Sequence, residues 1–139
     1  MKTNGLLRVL LLVAVVPALV ACENSATAYS METSQHALVL IREQSYFWDR
    51  EVEQFVVAAR LPHCQRKVKI HPGGTELTEM EVYEAGDRLW ALHQGARWYL
   101  ASTEKCLVQD WDNKDGQLPG AKVGSFRLKD GVPAFVASQ

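Results

Sequence analysis

Four groupings of side chains in this chain of 139 residues have types and spacing that could do chemistry. The first is Asp110-Trp111-Asp112-Asn113-Lys114-Asp115-Gly116, where carboxylates and an amide cluster as they do in a calcium loop. An EF-hand loop takes oxygens at its first, third and fifth positions, Gly at the sixth and Glu at the twelfth. Counted from Asp110, the fifth, sixth and twelfth positions hold Lys114, Asp115 and Ala121, so the register fails and an acidic turn is expected. The second grouping is His36, His63, His71 and His93. It contains no His-Glu-x-x-His and no i, i+4 pair, the spacing that brings two imidazoles onto one metal. The third is nucleophilic. No Gly-x-Ser-x-Gly elbow is present, and no spacing pairs two carboxylates across a cleft as a glycosidase does. No catalytic residue, metal or cofactor is expected.

The fourth grouping is aromatic and basic. Arg60, Arg66, Lys67 and Lys69 flank Cys64, and Phe47, Trp48, Trp90, Tyr99 and Trp111 are more aromatic than a small core needs. Tyr, Trp and Arg are enriched in protein-contact hot spots. Trp90, Arg97, Tyr99 and Trp111 are therefore expected to form a patch for a partner protein or a glycan, with aromatic faces stacking on sugars. Core packing beside a solvated strand face is the competing account of the same residues.

The elements that would position these residues are short and extended. Ala37 to Ile41 and Phe55 to Leu61 read as two strands of a hairpin turning near Asp49-Arg50. Helical spacing competes there: Trp48, Val52, Phe55, Val56 and Ala59 fall at i, i+4, i+7, i+8 and i+11, ahead of Pro62. Residues 45–60 are thus either hairpin or helix. Arg66 to His71 alternates with Val68 and Ile70 inward, and Glu79 to Glu84 alternates with Met80 and Val82. Arg88 to Ser102 is the clearest hairpin. A turn centred on Gln94-Gly95 would pair Leu92 with Arg97, Trp90 with Tyr99 and Leu89 with Leu100. Leu89, Ala91, His93, Ala96, Trp98 and Leu100 would then face the core, with Arg88, Trp90, Leu92, Arg97 and Tyr99 on an amphipathic opposite face. Lys105 to Trp111 makes a strand bearing Cys106, and Asp112 to Gly120 a loop. Val123 to Leu128 and Pro133 to Ala137 form a last hairpin around Lys129-Asp130-Gly131. Seven to nine short strands, with no long helix and no repeat, predict a mainly β domain: a small antiparallel β-sandwich or barrel with at most one short helix.

At the N-terminus, Lys2 and Arg8 accompany an apolar core that runs to Ala21 and is broken only by Pro17. About a dozen residues are too few to cross a ~30 Å hydrocarbon layer, so the segment reads as a secretory signal peptide. It ends in Leu19-Val20-Ala21-Cys22, which resembles the lipobox of bacterial lipoproteins; the chain as a whole resembles small Gram-negative envelope lipoproteins. The resemblance implies that Cys22 is diacylated on sulfur, becomes the first residue after cleavage and is then N-acylated. Each buried methylene contributes ~0.8 kcal/mol, so two or three acyl chains anchor stably where one does not. In such lipoproteins an Asp after the cysteine retains the protein in the inner membrane. Glu23 stands there instead, so the cell envelope at the periplasmic face of the outer membrane is the expected location.

On that reading residues 1–21 are removed, 22–35 are the acylated Cys and a flexible polar tether, and 36–139 form a single globular β domain. The tether would reach about 40 Å when extended. Of 15 basic residues, Lys2 and Arg8 leave with the leader, so 13 face 16 acidic ones, a formal charge of −3 that argues against nucleic acid. Cys64 and Cys106, an even pair in an oxidising compartment, are expected to form a disulfide. The leading expectation is a non-enzymatic, lipid-anchored lipoprotein that binds an envelope protein or peptidoglycan, or supports an envelope assembly. An inhibitor of a cell-wall hydrolase is the alternative. Periplasmic lysozyme inhibitors are also small, anchored, disulfide-bearing β-barrels, but their Ser-Gly-x-x-Tyr motif is absent and Gly95-Ala96-Arg97-Trp98-Tyr99 echoes it only loosely. A small hydrolase is the third class.

Overall fold

Alternation of buried and exposed side chains organises the whole domain. The computed structural model describes residues 22–139, so the leader, with Leu19, Val20 and Ala21 of the lipobox pattern, lies outside the described residues. Ten strands follow in order: β1 (Asn24–Ser30), β2 (His36–Glu43), β3 (Val52–Arg60), β4 (Cys64–Gly73), β5 (Met80–Gly86), β6 (Leu89–Gln94), β7 (Arg97–Ser102), β8 (Leu107–Trp111), β9 (Lys122–Lys129) and β10 (Val132–Ala137). They form two antiparallel sheets, one ordered β1-β2-β3-β4 and the other β10-β9-β5-β6-β7-β8. No helix occurs among the described residues. The fold is a small mainly β sandwich, as expected.

Residues 45–60 resolve as loop and strand. β2 and β3 pair with Ile41 opposite Phe55 and Val39 opposite Val57, so the β-branched run decides against the helical spacing. Three further expectations need correction. The segment taken as a tether is β1, paired residue by residue with β2 from Asn24–Glu43 to Ser30–Ala37. Ser25, Thr27 and Tyr29 form its half-buried row. Small hydroxyl side chains on the inward face give no apolar alternation, which is why the strand reads as linker. It brings the count to ten.

The second correction is register. Gln94 pairs with Arg97, Leu92 with Tyr99 and Trp90 with Ala101, so the turn is centred on Gly95-Ala96 and every partner moves by two residues. Gly95 has φ +60° while Ala96 does not adopt positive φ, which matches a type II′ turn with glycine at its first central position. The third is sidedness. A shift of two leaves the face groupings intact, yet Trp90, Leu92, Tyr99 and Ala101 point into the core while Leu89, His93, Trp98 and Leu100 lie outside and half-buried. Both faces are apolar, so alternation cannot choose between them. The space between the sheets does, taking the bulkier pair Trp90 and Tyr99.

The core is the meeting of two inner faces: Leu38, Leu40, Val56, Ala58 and Ile70 from the four-stranded sheet, against Met80, Val82, Trp90, Leu92, Tyr99, Val108 and Phe126 from the other. Cys64, opening β4, and Cys106, just before β8, form the expected disulfide with Cα atoms 6.0 Å apart. It staples the sheets at one end. Buried beside it, His36 Nε2 and Thr103 Oγ1 lie 2.7 Å apart, and Arg60 Nε donates to the Thr103 carbonyl at 3.1 Å. The other end carries the start of β1, the β2–β3 and β4–β5 loops and the β6–β7 turn. There the sheets are joined by amides: buried Gln54 Nε2 donates to the Gln94 side-chain oxygen at 3.0 Å and to the His71 carbonyl at 2.8 Å.

Candidate functional site

Two surfaces bring chemically distinctive residues together. The first is the open end of the sandwich, opposite the disulfide. Arg42 is 1 % exposed there, an unusual state for a guanidinium. Its Nη1 meets Glu23 Oε1 at 3.0 Å and its Nη2 donates to the Gly74 carbonyl, so one buried cation ties the start of β1 to the β4–β5 loop. Burial lowers the Arg42 pKa, with the Glu23 carboxylate opposing that shift. Gln44 completes the junction: its N–H donates to the Glu23 carbonyl at 2.9 Å, its side-chain oxygen accepts from the Glu23 N–H at 2.8 Å, and its Nε2 donates to the Asp49 carbonyl at 2.7 Å. Two shallow clefts open beside this junction. One, of about 510 Å³, runs between Arg50, Glu51, His71 and Arg97; the other, of about 460 Å³, lies between Ser45, Asp49, Glu53 and Lys69. Both are solvent-open and lined mainly by polar and charged residue types, without the enclosure of a small-molecule site.

The second surface is the outer face of the six-stranded sheet. Register places Glu81, His93, Trp98 and Trp111 in one row across β5, β6, β7 and β8. Their side chains touch in sequence. His93 Nδ1 lies 3.5 Å from Glu81 Oε1, the His93 ring stacks on Trp98 with centroids 4.1 Å apart, and Trp98 meets Trp111 edge-to-face at 5.6 Å. Glu81 also accepts from the Tyr83 hydroxyl and pairs with Lys122 Nζ at 3.2 Å. The Tyr83 hydroxyl bond, followed by Lys122 and His93, holds the Glu81 carboxyl below its usual range. Burial first, and then the Glu81 charge, push the Tyr83 hydroxyl up to about 12. The Glu81 carboxylate thus sits among the Tyr83 hydroxyl, the Lys122 ammonium and the His93 ring. The row ends in a shallow cleft of about 260 Å³ between Arg97, Trp98, Asp110 and Trp111.

The expected partner-binding residues divide. Trp90 and Tyr99 are core residues, and the Tyr99 hydroxyl accepts from the His71 backbone N–H at 3.3 Å; neither offers a surface. Arg97 is exposed and Trp111 half-buried, and they meet at the cleft. Trp98, expected in the core, is the residue between them. Its sequence signal was the alternation that also put Trp90 on the opposite face. Cys22 is exposed and unpaired. The four histidines are dispersed: His36 is buried against Thr103, His93 stacks on Trp98, and His71 and His63 lie on β4 and in the β3–β4 turn. Among the described residues, no three His, Cys, Asp or Glu side chains converge as metal ligands would. In the Asp110 to Gly116 stretch, Asp112 pairs instead with Lys114 at 3.5 Å. No family model, no curated protein and no solved structure matches the chain.

Proposed function

We propose that this protein is a lipid-anchored lipoprotein of the bacterial envelope, without catalytic activity, that holds a partner against the outer face of its six-stranded sheet. The anchor rests on the leader and on Leu19-Val20-Ala21-Cys22, and the location at the periplasmic face of the outer membrane on Glu23 in place of Asp. The observation that carries the binding role is the Arg97–Trp98–Trp111 cleft. Two tryptophans meet edge-to-face on neighbouring strands, one of them the edge strand β8, and the exposed Arg97 lines the same cleft from the position before Trp98. Aromatic and Arg anchors at a cleft are the side chains that dominate contact energies, and edge-to-face rings with an arginine at the same cleft suit either a protein loop or a peptidoglycan sugar.

The test is a cross-linked capture from envelopes with the native anchored protein, repeated with Trp111→Ala and Arg97→Ala. A specific partner that both substitutions release supports the proposal. Capture that both variants retain would move the interface elsewhere. Inhibition of lysozyme at nanomolar concentration would replace the proposal with the hydrolase-inhibitor reading.

A further inference from the structure

Three consecutive aromatic residues are unpartnered at the β2–β3 loop: Tyr46, Phe47 and Trp48 are 56 %, 54 % and 64 % exposed. Their arrangement is held from within the loop. The Asp49 carboxylate accepts from the Tyr46 N–H at 3.1 Å, and the Asp49 N–H donates to the Tyr46 carbonyl at 3.0 Å. The Tyr46 and Trp48 rings lie nearly parallel with centroids 4.8 Å apart. A loop ordered before it binds loses little freedom when it does.

What covers these rings follows from where they sit. Glu23 and Gln44 exchange two hydrogen bonds, so Cys22 is fastened beside a loop whose first aromatic lies two residues past Gln44. Cys22 has one residue of slack before that fixed point, ~3.8 Å, less than the ~5–8 Å thickness of a headgroup layer. With acyl chains on Cys22 in the hydrocarbon, the loop is held at the edge of that layer, where side chains as long as Trp and Tyr enter it. Trp and Tyr are the residues that favour it, presenting an apolar ring and a polar tip. Among the nearby charges Glu23 pairs with Arg42, Glu43 with Lys67 and Glu53 with Lys69, and Asp49, Arg50 and Glu51, which follow the rings without an ion pair, include only one cation. No basic cluster faces the headgroups, so the contact is apolar rather than electrostatic.

We infer that the Tyr46-Phe47-Trp48 loop docks into the headgroup layer of the membrane that holds Cys22, fixing the domain with its open end toward the bilayer and its disulfide away. This rests on the anchor reading above. Three rings alone bind a bilayer weakly, but an acyl anchor makes their contact intramolecular and raises its effective concentration.

The test uses the full-length chain expressed in a Gram-negative host and extracted from its membranes. Intact mass first reports the acyl groups on Cys22. The protein is then reconstituted into phosphatidylcholine vesicles, with and without phosphatidylglycerol, and tryptophan fluorescence is read with and without lipid brominated in its acyl chains. The native protein should show a blue-shifted, lipid-quenched component in both compositions, and Trp48→Phe should lose it. Acylated protein whose Trp48 is untouched by brominated lipid overturns the inference and leaves the anchor standing. Shielding of that Trp48 from aqueous acrylamide would then mark a protein occupant, which overturns it equally. A mass without acyl groups removes the anchor itself, and the docking with it.

Discussion

Substituting Glu23 by Gln removes the carboxylate that neutralises Arg42 and keeps the size of the side chain. Arg42 is 1 % exposed, and its Nε has no hydrogen-bond partner. The guanidinium therefore depends on the 3.0 Å contact to Glu23 and on the Gly74 carbonyl. Breaking a fully buried pair from one side costs about 3–5 kcal/mol, because the remaining charge is stranded. Glu23 is 34 % exposed, so water reaches its side of the pair, and screening reduces the figure to about 1–2 kcal/mol. For a domain of this size that is a fall in Tm of roughly 4–10 °C. Circular dichroism melts of the disulfide-intact domain measure it. Glu23→Ala should cost more, since Gln retains an acceptor. Arg42→Met on the Glu23→Ala background should recover part of the loss, because an apolar side chain of similar length leaves no charge to strand. A Glu23→Gln domain melting within about 1 °C of the native protein would refute the reasoning. The start of β1 would then be held by backbone pairing and the Gln44 side chain.

Three further outcomes follow from other parts of the structure. Replacing Cys64 and Cys106 by Ser opens a cross-link of sequence separation 42, which should lower unfolding free energy by about 4 kcal/mol on the chain-entropy estimate, read from denaturant midpoints. Tyr83 carries a pKa raised to about 12 in the folded state, so its contribution is complete below the ordinary tyrosine value near 10 and is lost as pH rises through about 12. Tyr83→Phe should remove that step from the tyrosinate absorbance titration and flatten the alkaline stability limb. A Cβ at Gly120 would collide with the Glu84 carbonyl oxygen, beside the 2.9 Å bond from the Glu84 N–H to the Ala121 carbonyl. Gly120→Ala should therefore displace the β8–β9 loop from β5 at a cost of about 1–3 kcal/mol, with faster amide exchange at Glu84.

How much was legible in the sequence depended on whether one face of each element was polar. Met80 to Tyr83 and Arg66 to His71 alternate apolar with charged or polar residues, and β5 and β4 lie where that alternation places them. The Asp130-Gly131 turn was equally readable: both residues take positive φ, and both are types that tolerate it. β1 was not, because Ser25 and Thr27 occupy its inward row and compose like a linker. The β6–β7 hairpin was half legible. Its two faces were grouped correctly and then assigned the wrong way round, since nothing local says which apolar face has a sheet opposite it. The cleft at Arg97, Trp98 and Trp111 inherits that failure. The Glu23–Gln44 junction joins residues 21 apart in sequence, so no window on the chain could show that the β2–β3 loop stands beside Cys22.

The sides of the β6–β7 hairpin separate the tryptophan packed between the sheets from those at the surface. Trp90 and Tyr99 fill the space between the sheets, so Trp90→Ala or Tyr99→Ala should cost about 3–5 kcal/mol and weaken partner capture only as the fold is lost. Trp48 touches only its loop neighbours Tyr46 and Phe47 ring to ring and is 64 % exposed. Trp48→Ala should therefore shift stability by less than about 0.5 kcal/mol. Trp111, half-buried against Trp98, should fall between the two, at about 1–2 kcal/mol for the lost aromatic contact and area. Denaturant melts set beside capture from envelopes separate the classes. A Trp90→Ala protein that keeps native stability but loses its partner would return the binding surface to the face the sequence first suggested. The same melts on Trp48→Ala test the opposite end: a loop whose rings face lipid rather than protein has no folding free energy to lose.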